Sequence, residues 1–373
     1  MSRVTVGLAP CAAPASIGLI LSLGFAEAPT AAAETACERS AHDMLAACKA
    51  EARNELYATR ARCRSIAADA VREECFEEAL EERKEAPEAC RAVHAARRSA
   101  CDLLDERRYA DPLLDPDTVF IDPDAVPAVY PPNPYLSLAA GHTYVLRAGE
   151  EGEETVVVHV TGETREIEGA ACRVVLDAVV ESAVDEGEIE YEAVEVTDDW
   201  MAQDDVGNVY YCGEISRNFE DGVLTDLEGS FEAGRDLARA GELIRAVPAA
   251  GDAHRQEYAL GEAEDIVRYA DTMTAPGEAE GGDNPAFSCV PARCLKTIEF
   301  SPLEPESREF KYYLPGTGFV LAVALEEGVV TGEREELVCV GESLEVLNDP
   351  ACGVEDPEAL LEALCAQSAT FCP

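Results

Sequence analysis

The chain has 373 residues and a formal net charge of −46, from 29 Lys and Arg against 75 Asp and Glu. Such a balance repels phosphate backbones and excludes an ordinary nucleic-acid binder. Hydrophobic residues make up 47% of the chain, which excludes bulk disorder, and fifteen Cys exclude an ordinary cytosolic enzyme.

Arg3 is the sole charge before Glu27, and an apolar run, Ser16 to Phe25, follows it. The run is too short to span a bilayer. Small residues come next, with Ala26-Glu27-Ala28 and Ala31-Ala32-Ala33 as cleavage sites. This order predicts a signal peptide over residues 1–33 and a secreted or periplasmic protein. Cys37 follows Glu34-Thr35-Ala36, which lacks the aliphatic residue of a lipobox. No later apolar run is long enough for a membrane span. Removing Cys11 with the signal peptide leaves fourteen Cys, an even number that fits a disulfide framework.

Residues 34–108 hold Cys37, Cys48, Cys63, Cys75, Cys90 and Cys101, at steps of 11, 15, 12, 15 and 11. The steps are mirror-symmetric about Asp69, so nested pairs share one index sum, as facing residues of an antiparallel hairpin do. The segment is rich in Ala, Glu and Arg, which favours helix. At about 100° per residue, Cys37, Cys48 and Cys63 fall on one stripe. Two Cys 11 apart on one helix stand about 16 Å apart and cannot bond to each other. The spacing therefore predicts Cys37–Cys101, Cys48–Cys90 and Cys63–Cys75. The apolar stripe between them is thin, so the hairpin needs covalent staples. Pro87 should kink or break the second arm, which keeps a three-helix reading open. Met44, His94 and His42 lie between rungs, as core filling or as ligands for a soft metal.

Residues 109–134 contain seven Pro and read as an extended linker. Asp115, Asp117, Asp122 and Asp124 flank two of these prolines. Closely spaced Asp on irregular backbone can gather calcium, and Asp-Pro is also ordinary turn chemistry. No cofactor is required by any motif.

From Pro134 the pattern turns to short alternating runs. Strands are expected at His142–Arg147, Thr155–Thr161, Cys172–Val180, Glu188–Val196, Val209–Ile215, Val223–Phe231, Leu295–Phe300, Phe310–Leu314, Phe319–Leu325 and Glu335–Val340. Only Gly261–Thr272 offers a helical pattern among them, so crossover helices are lacking and the sheet should be antiparallel. Asp356, Pro357 and the run Glu358–Gln367 predict a C-terminal helix. Cys289 and Cys294 should close a loop. Cys172, Cys212, Cys339, Cys352, Cys365 and Cys372 should form three bridges pinning the tail to the sheet.

The β region carries Asp199-Trp200-Met201-Ala202-Gln203-Asp204 with Gly207-Asn208-Val209-Tyr210-Tyr211. It also carries Val160-Thr161-Gly162-Glu163-Thr164, Gly229-Ser230-Phe231-Glu232-Ala233-Gly234 and Lys311-Tyr312-Tyr313-Leu314-Pro315-Gly316. These pieces resemble a family of exported bacterial and archaeal β-rich proteins. The resemblance covers over half the chain, implies export and a β fold, and supplies no activity.

No Gly-x-Ser-x-Gly elbow, HExxH, P-loop or dinucleotide fingerprint is present. Trp200, Tyr210 and Tyr211 can stack a ligand inside a barrel or serve as core. Arg255 and Glu257 belong to the least ordinary charged cluster, His254 to Tyr258. The expected architecture is α+β and multidomain. A disulfide-stapled antiparallel helical hairpin is followed by the linker, an acidic antiparallel β meander over 135–341 forming a barrel or half-barrel, and a disulfide-anchored C-terminal helix over 342–373. The expected role is a non-enzymatic module binding a small ligand, cations or an extracellular partner; the alternative is a secreted hydrolase working through carboxylates.

Overall fold

The computed structural model describes residues 34–149, 152–185, 188–220, 222–281 and 284–372. The expected signal peptide at 1–33 lies outside the described residues. Thr35–Pro373 form one compact unit.

Helix α1 (Ala36–Cys63) starts at a capping box, in which Thr35 Oγ1 accepts from Glu38 N–H and Glu38 accepts from Thr35 N–H. Helix α2 (Asp69–Leu103) runs antiparallel to it. It passes through Pro87 as one helix, so the hairpin stands and the three-helix alternative falls: a helix this long, clamped at Cys90 and Cys75, absorbs one missing hydrogen bond. Three rungs join the arms, Cys37–Cys101, Cys48–Cys90 and Cys63–Cys75, with Cα separations of 5.9, 5.8 and 5.7 Å. Between them the buried apolar side chains are small, such as Ala41 and Ala79, so the staples replace a core. His42 Nδ1 and His94 Nε2 meet across the arms at 3.1 Å.

The sheet consists of β1 (Thr143–Gly149), β2 (Glu154–Ile167), β3 (Ala170–Asp185), β4 (Glu188–Gln203), β5 (Val209–Glu220), β6 (Val223–Asp226), β7 (Phe231–Glu232), β8 (Arg239–Ile244), β9 (Ala253–Arg255), β10 (Glu257–Tyr258), β11 (Ile266–Thr274), β12 (Cys294–Phe300), β13 (Ser307–Leu314), β14 (Gly318–Glu326) and β15 (Val329–Gly341). The order is β10-β8-β5-β4-β3-β2-β1-β15-β14-β13-β12-β11-β9, and every pairing is antiparallel. The two ends of this order are one stretch of chain. β9 pairs with β11, β10 pairs with β8, and Gln256 alone separates them, so the sheet closes nearly into a barrel. Gly241 permits the closure, because a Cβ there would stand 1.9 Å from the Gln256 carbonyl oxygen. The helical pattern expected at Gly261–Thr272 is instead a turn followed by most of β11, and the expected strand Val223–Phe231 divides into β6 and β7.

Both faces of the strands are apolar, and each has its own cover. One face carries Val174, Leu176, Ala178, Val196 and Trp200, packed with Leu347, Leu360, Leu364 and Phe371 of the tail. Helix α3 (Pro357–Gln367), capped by Asp356, supplies Leu360 and Leu364, both fully buried. The opposite face carries Val175, Met201 and Tyr211 and looks into the barrel. Disulfide Cys172–Cys212 crosses the sheet and Cys339–Cys352 ties β15 to the turn that follows it. Cys289–Cys294 closes a loop. Cys365–Cys372 lies within the tail, so packing, not a direct bridge, holds α3 to the sheet.

Residues 109–134 lie along the barrel as ordered chain. Leu113 and Ile121 are buried, and Ile121 N–H donates to Gln203 O at 3.0 Å. Tyr109 stacks on Tyr258 at 4.3 Å and its hydroxyl donates to Ala240 O. Arg97 of α2 forks onto Glu264 at 2.5–3.0 Å, and Arg255 reaches Glu106 at 2.7 Å. All four side chains of these pairs are at least nine-tenths buried, which fixes the base of the hairpin to the stretch that closes the barrel.

Candidate functional site

The barrel interior is a cup. Its floor is a cavity of about 290 Å³ lined by Leu136, Tyr144, Leu146, Val158, Val175, Met201, Leu243, Ile244 and Phe319. Above the floor the same cavity meets a layer of carboxylates, Asp177, Asp199, Glu257, Asp265, Glu299 and Glu335, with Lys311 among them. A wider cavity of about 900 Å³ shares Glu257, Asp265, Glu299 and Lys311 and adds Glu195, Glu214 and Glu304. An apolar base therefore opens into an acidic mouth.

Strand phase places these groups. Asp177 and Asp199 stand on β3 and β4 among apolar neighbours, on the same face as Val175 and Met201. In β5 a bulge intervenes, since Met201 pairs with Tyr211 while Trp200 pairs with Gly213. The extra residue turns both Tyr211 and Glu214 inward. Gly213 makes the bulge with a φ of 139°, and a Cβ there would meet Phe231 O at 2.3 Å.

The Tyr211 hydroxyl then lies between two carboxylates, donating to Asp199 Oδ1 or to Glu214 Oε2, the latter at 3.0 Å. One hydroxyl has one proton, so both contacts hold as hydrogen bonds only when one of the acids keeps a proton of its own. Burial raises both acids, Glu214's charge adds to the rise at Asp199, and Glu214 is pushed up to about 7. Burial also lifts Asp177 and Glu257 well above the usual carboxylate range and Glu335 to about 7. Glu299 is the counter-case. Burial works against its charge, yet Lys311 at 3.2 Å, Thr297 at 2.8 Å and Tyr313 at 3.0 Å hold its carboxylate below the usual range. Lys311 also contacts Glu309 at 3.2 Å, and the two carboxylates hold its ammonium well above the ordinary lysine value despite burial.

Of the residues singled out in the sequence, the structure brings Tyr211 and Glu257 to the cavity. Trp200 and Tyr210 face the other way, into the core under α3; adjacent Tyr210 and Tyr211 must point to opposite faces. Arg165 lies over the Trp200 ring at 3.9 Å, and Tyr210 donates to Asp204 at 3.0 Å. Asp204 also accepts from Asn208 N–H at 2.8 Å, so the Asp204–Asn208 part of the sequence motif serves a turn. Arg255 is spent on Glu106. The structure does not gather the four linker aspartates. Asp115 and Asp122 accept from Asp117 and Asp124 N–H, each at 3.0 Å, and Asp124 faces Arg173 at 2.8 Å. Among the described residues no group of three or more His, Cys, Asp or Glu is placed to hold a metal ion. The inward acids Asp177, Asp199 and Glu335 were missed, although a lone acid within the run Val174-Val175-Leu176-Asp177-Ala178 was a readable signal.

Seven disulfides fit an extracytoplasmic location. Among the described residues no helix is long and apolar enough to cross a membrane. No family model matches the chain, and no curated protein matches it. Among solved structures it is similar to a Bacteroides fragilis protein with a YmcC-like fold, assigned as exported, at 12% identity over 56% of this chain and 97% of that one. The TM-score is 0.28, a likeness that bears no weight for function.

Proposed function

We propose that this protein is an exported, non-enzymatic binding protein whose barrel interior takes a small ligand. One observation carries the reading: the cavity of about 290 Å³ inside the barrel, lined partly by apolar side chains and partly by carboxyl groups. A barrel built only as a scaffold fills its interior with side chains. Secretion or a periplasmic life after removal of residues 1–33 is part of the same reading, supported by the disulfides. Nile red, a neutral apolar dye, tests it. Saturable binding with one site per chain and blue-shifted emission is expected. Native mass spectrometry of protein from its producing cells should find a co-purified small molecule. A protein that carries nothing and leaves the dye emission unchanged is not a binding cup.

A second reading, a carboxylate-dependent hydrolase, is favoured by the proton shared around Tyr211 facing a cavity that also contains ionised Glu299. Pairs of acids with opposed proton affinities serve as acid and base in hydrolysis. Turnover of chromogenic glycosides or esters that disappears in Glu214→Gln would establish it. A flat time course across the panel removes it.

A further inference from the structure

The apolar floor does not stand alone, and what stands over it selects a ligand. The cavity and the wider mouth together contain two basic side chains, Lys311 and Arg308. Lys311 is engaged by Glu299 and Glu309, and Arg308 lies exposed over the Phe300 ring at 5.2 Å. The remaining charged groups of the interior are carboxyls. A carboxylate or sulfate head entering this mouth meets mostly carboxyl groups, and among the described residues the cation there outside an ion pair is exposed Arg308.

Asp199 points to the ligand independently of that crowd. Its side chain is more than nine-tenths buried and lines the floor cavity beside Met201 and Tyr211. Oδ1 is engaged by the Tyr211 hydroxyl. The hydrogen bond at Oδ1 leaves the rest of the carboxyl group lining the cavity. A half-engaged carboxyl group lining a partly apolar chamber is matched by a donor that carries positive charge, because a charge-assisted hydrogen bond offsets the desolvation of both groups.

We propose that the ligand is a cationic amphiphile: an alkyl or aryl portion seated on Leu146, Val158, Val175 and Phe319, with an ammonium group against Asp199 and Glu257. This rests on the reading of the cavity as a ligand site and adds the chemical class of its occupant. The geometry favours an amine over a metal ion. The acids are spread around the wall with no group of three converging, whereas one ammonium needs a single carboxylate oxygen plus an apolar bed for its chain.

The experiment displaces bound Nile red from the intact, oxidised protein at low salt and about pH 7.5. Three probes share one chain and differ only in the head: octylammonium chloride, octanol and octyl sulfate. Octylammonium should compete at about tenfold lower concentration than octanol, and octyl sulfate should not compete. Added sodium chloride should shrink the ammonium preference and leave octanol unchanged. Asp199→Asn should bring octylammonium to the level of octanol, and Glu257→Gln should weaken it in the same direction. Equal competition by all three heads, or a preference for sulfate, overturns the cationic assignment while leaving the cup as a ligand site. Saturable dye binding that none of the probes displaces overturns it too. Absence of dye binding overturns the binding reading itself. The three-probe comparison on the unaltered protein needs no variant to fold.

Discussion

Gly213 and Gly241 occupy two places where barrel backbone approaches barrel backbone too closely for a Cβ. At Gly241 the neighbour is rigid main chain, the Gln256 carbonyl, so Gly241→Ala must shift the closing stretch. A loss of about 1–3 kcal/mol or more is expected in urea unfolding with disulfides intact; an unchanged midpoint would show that closure does not depend on this contact. The acids of the interior make a second prediction at this scale. Glu335 has its proton affinity raised by burial to about 7, from an ordinary 4.5. The folded state then binds more protons than the unfolded state, so this group's contribution falls as pH rises from about 4.5 to about 7. Half-buried His159 and buried His254 are held below their usual value by desolvation and act in the opposite sense near neutrality. Glu335→Gln isolates the carboxyl: it should raise unfolding free energy at about pH 8 relative to pH 5, compared with the parent. An identical pH profile in parent and variant would remove the claim. The sequence hides these groups for a local reason. Simple alternation puts Tyr211, Gly213 and Ile215 on one face, and the bulge at Gly213 brings Glu214 inward instead.

At the scale of elements, the hairpin was legible and the tail partly so. Six Cys with one index sum admit one ladder on two antiparallel helices, and the structure carries that ladder. The three-helix alternative at Pro87 did not hold, because propensity is outweighed when covalent rungs stand on both sides. Removing the middle rung with Cys48→Ser and Cys90→Ser should cost about 2–4 kcal/mol and be seen as earlier loss of helical circular dichroism on heating. Coincident melting with the parent would mean that contacts between helices, not the rungs, hold the arm. The strands β8, β9 and β10 escaped sequence reading, since stretches of two to six residues show too little alternation to register.

Across the whole molecule, arm and barrel are joined through charge. Arg97 and Glu264 are 7% and 1% exposed at the side chain, so each depends on the other for its solvation. Arg97→Ala leaves a buried carboxylate unpaired and should cost about 3–5 kcal/mol, with faster hydrogen exchange over residues 253–265. Replacing both, Arg97→Met with Glu264→Leu, should recover most of that loss. A single variant as stable as the parent would show that the pair is solvated from elsewhere. Such a contact was beyond the sequence, because residues 167 apart meet only once the barrel has closed.

The seam at Gln256 has a consequence for association between copies. A long antiparallel sheet ordinarily ends in two unpaired rows of amides and carbonyls that invite a second chain to add on. Here one short stretch occupies both rows at once. Were it displaced, β8 and β11 would be bared together, and each molecule would present two sticky margins, the valency required for a growing fibre. Resistance to polymerisation in this β-rich protein is thus vested in a handful of residues under the hairpin's foot.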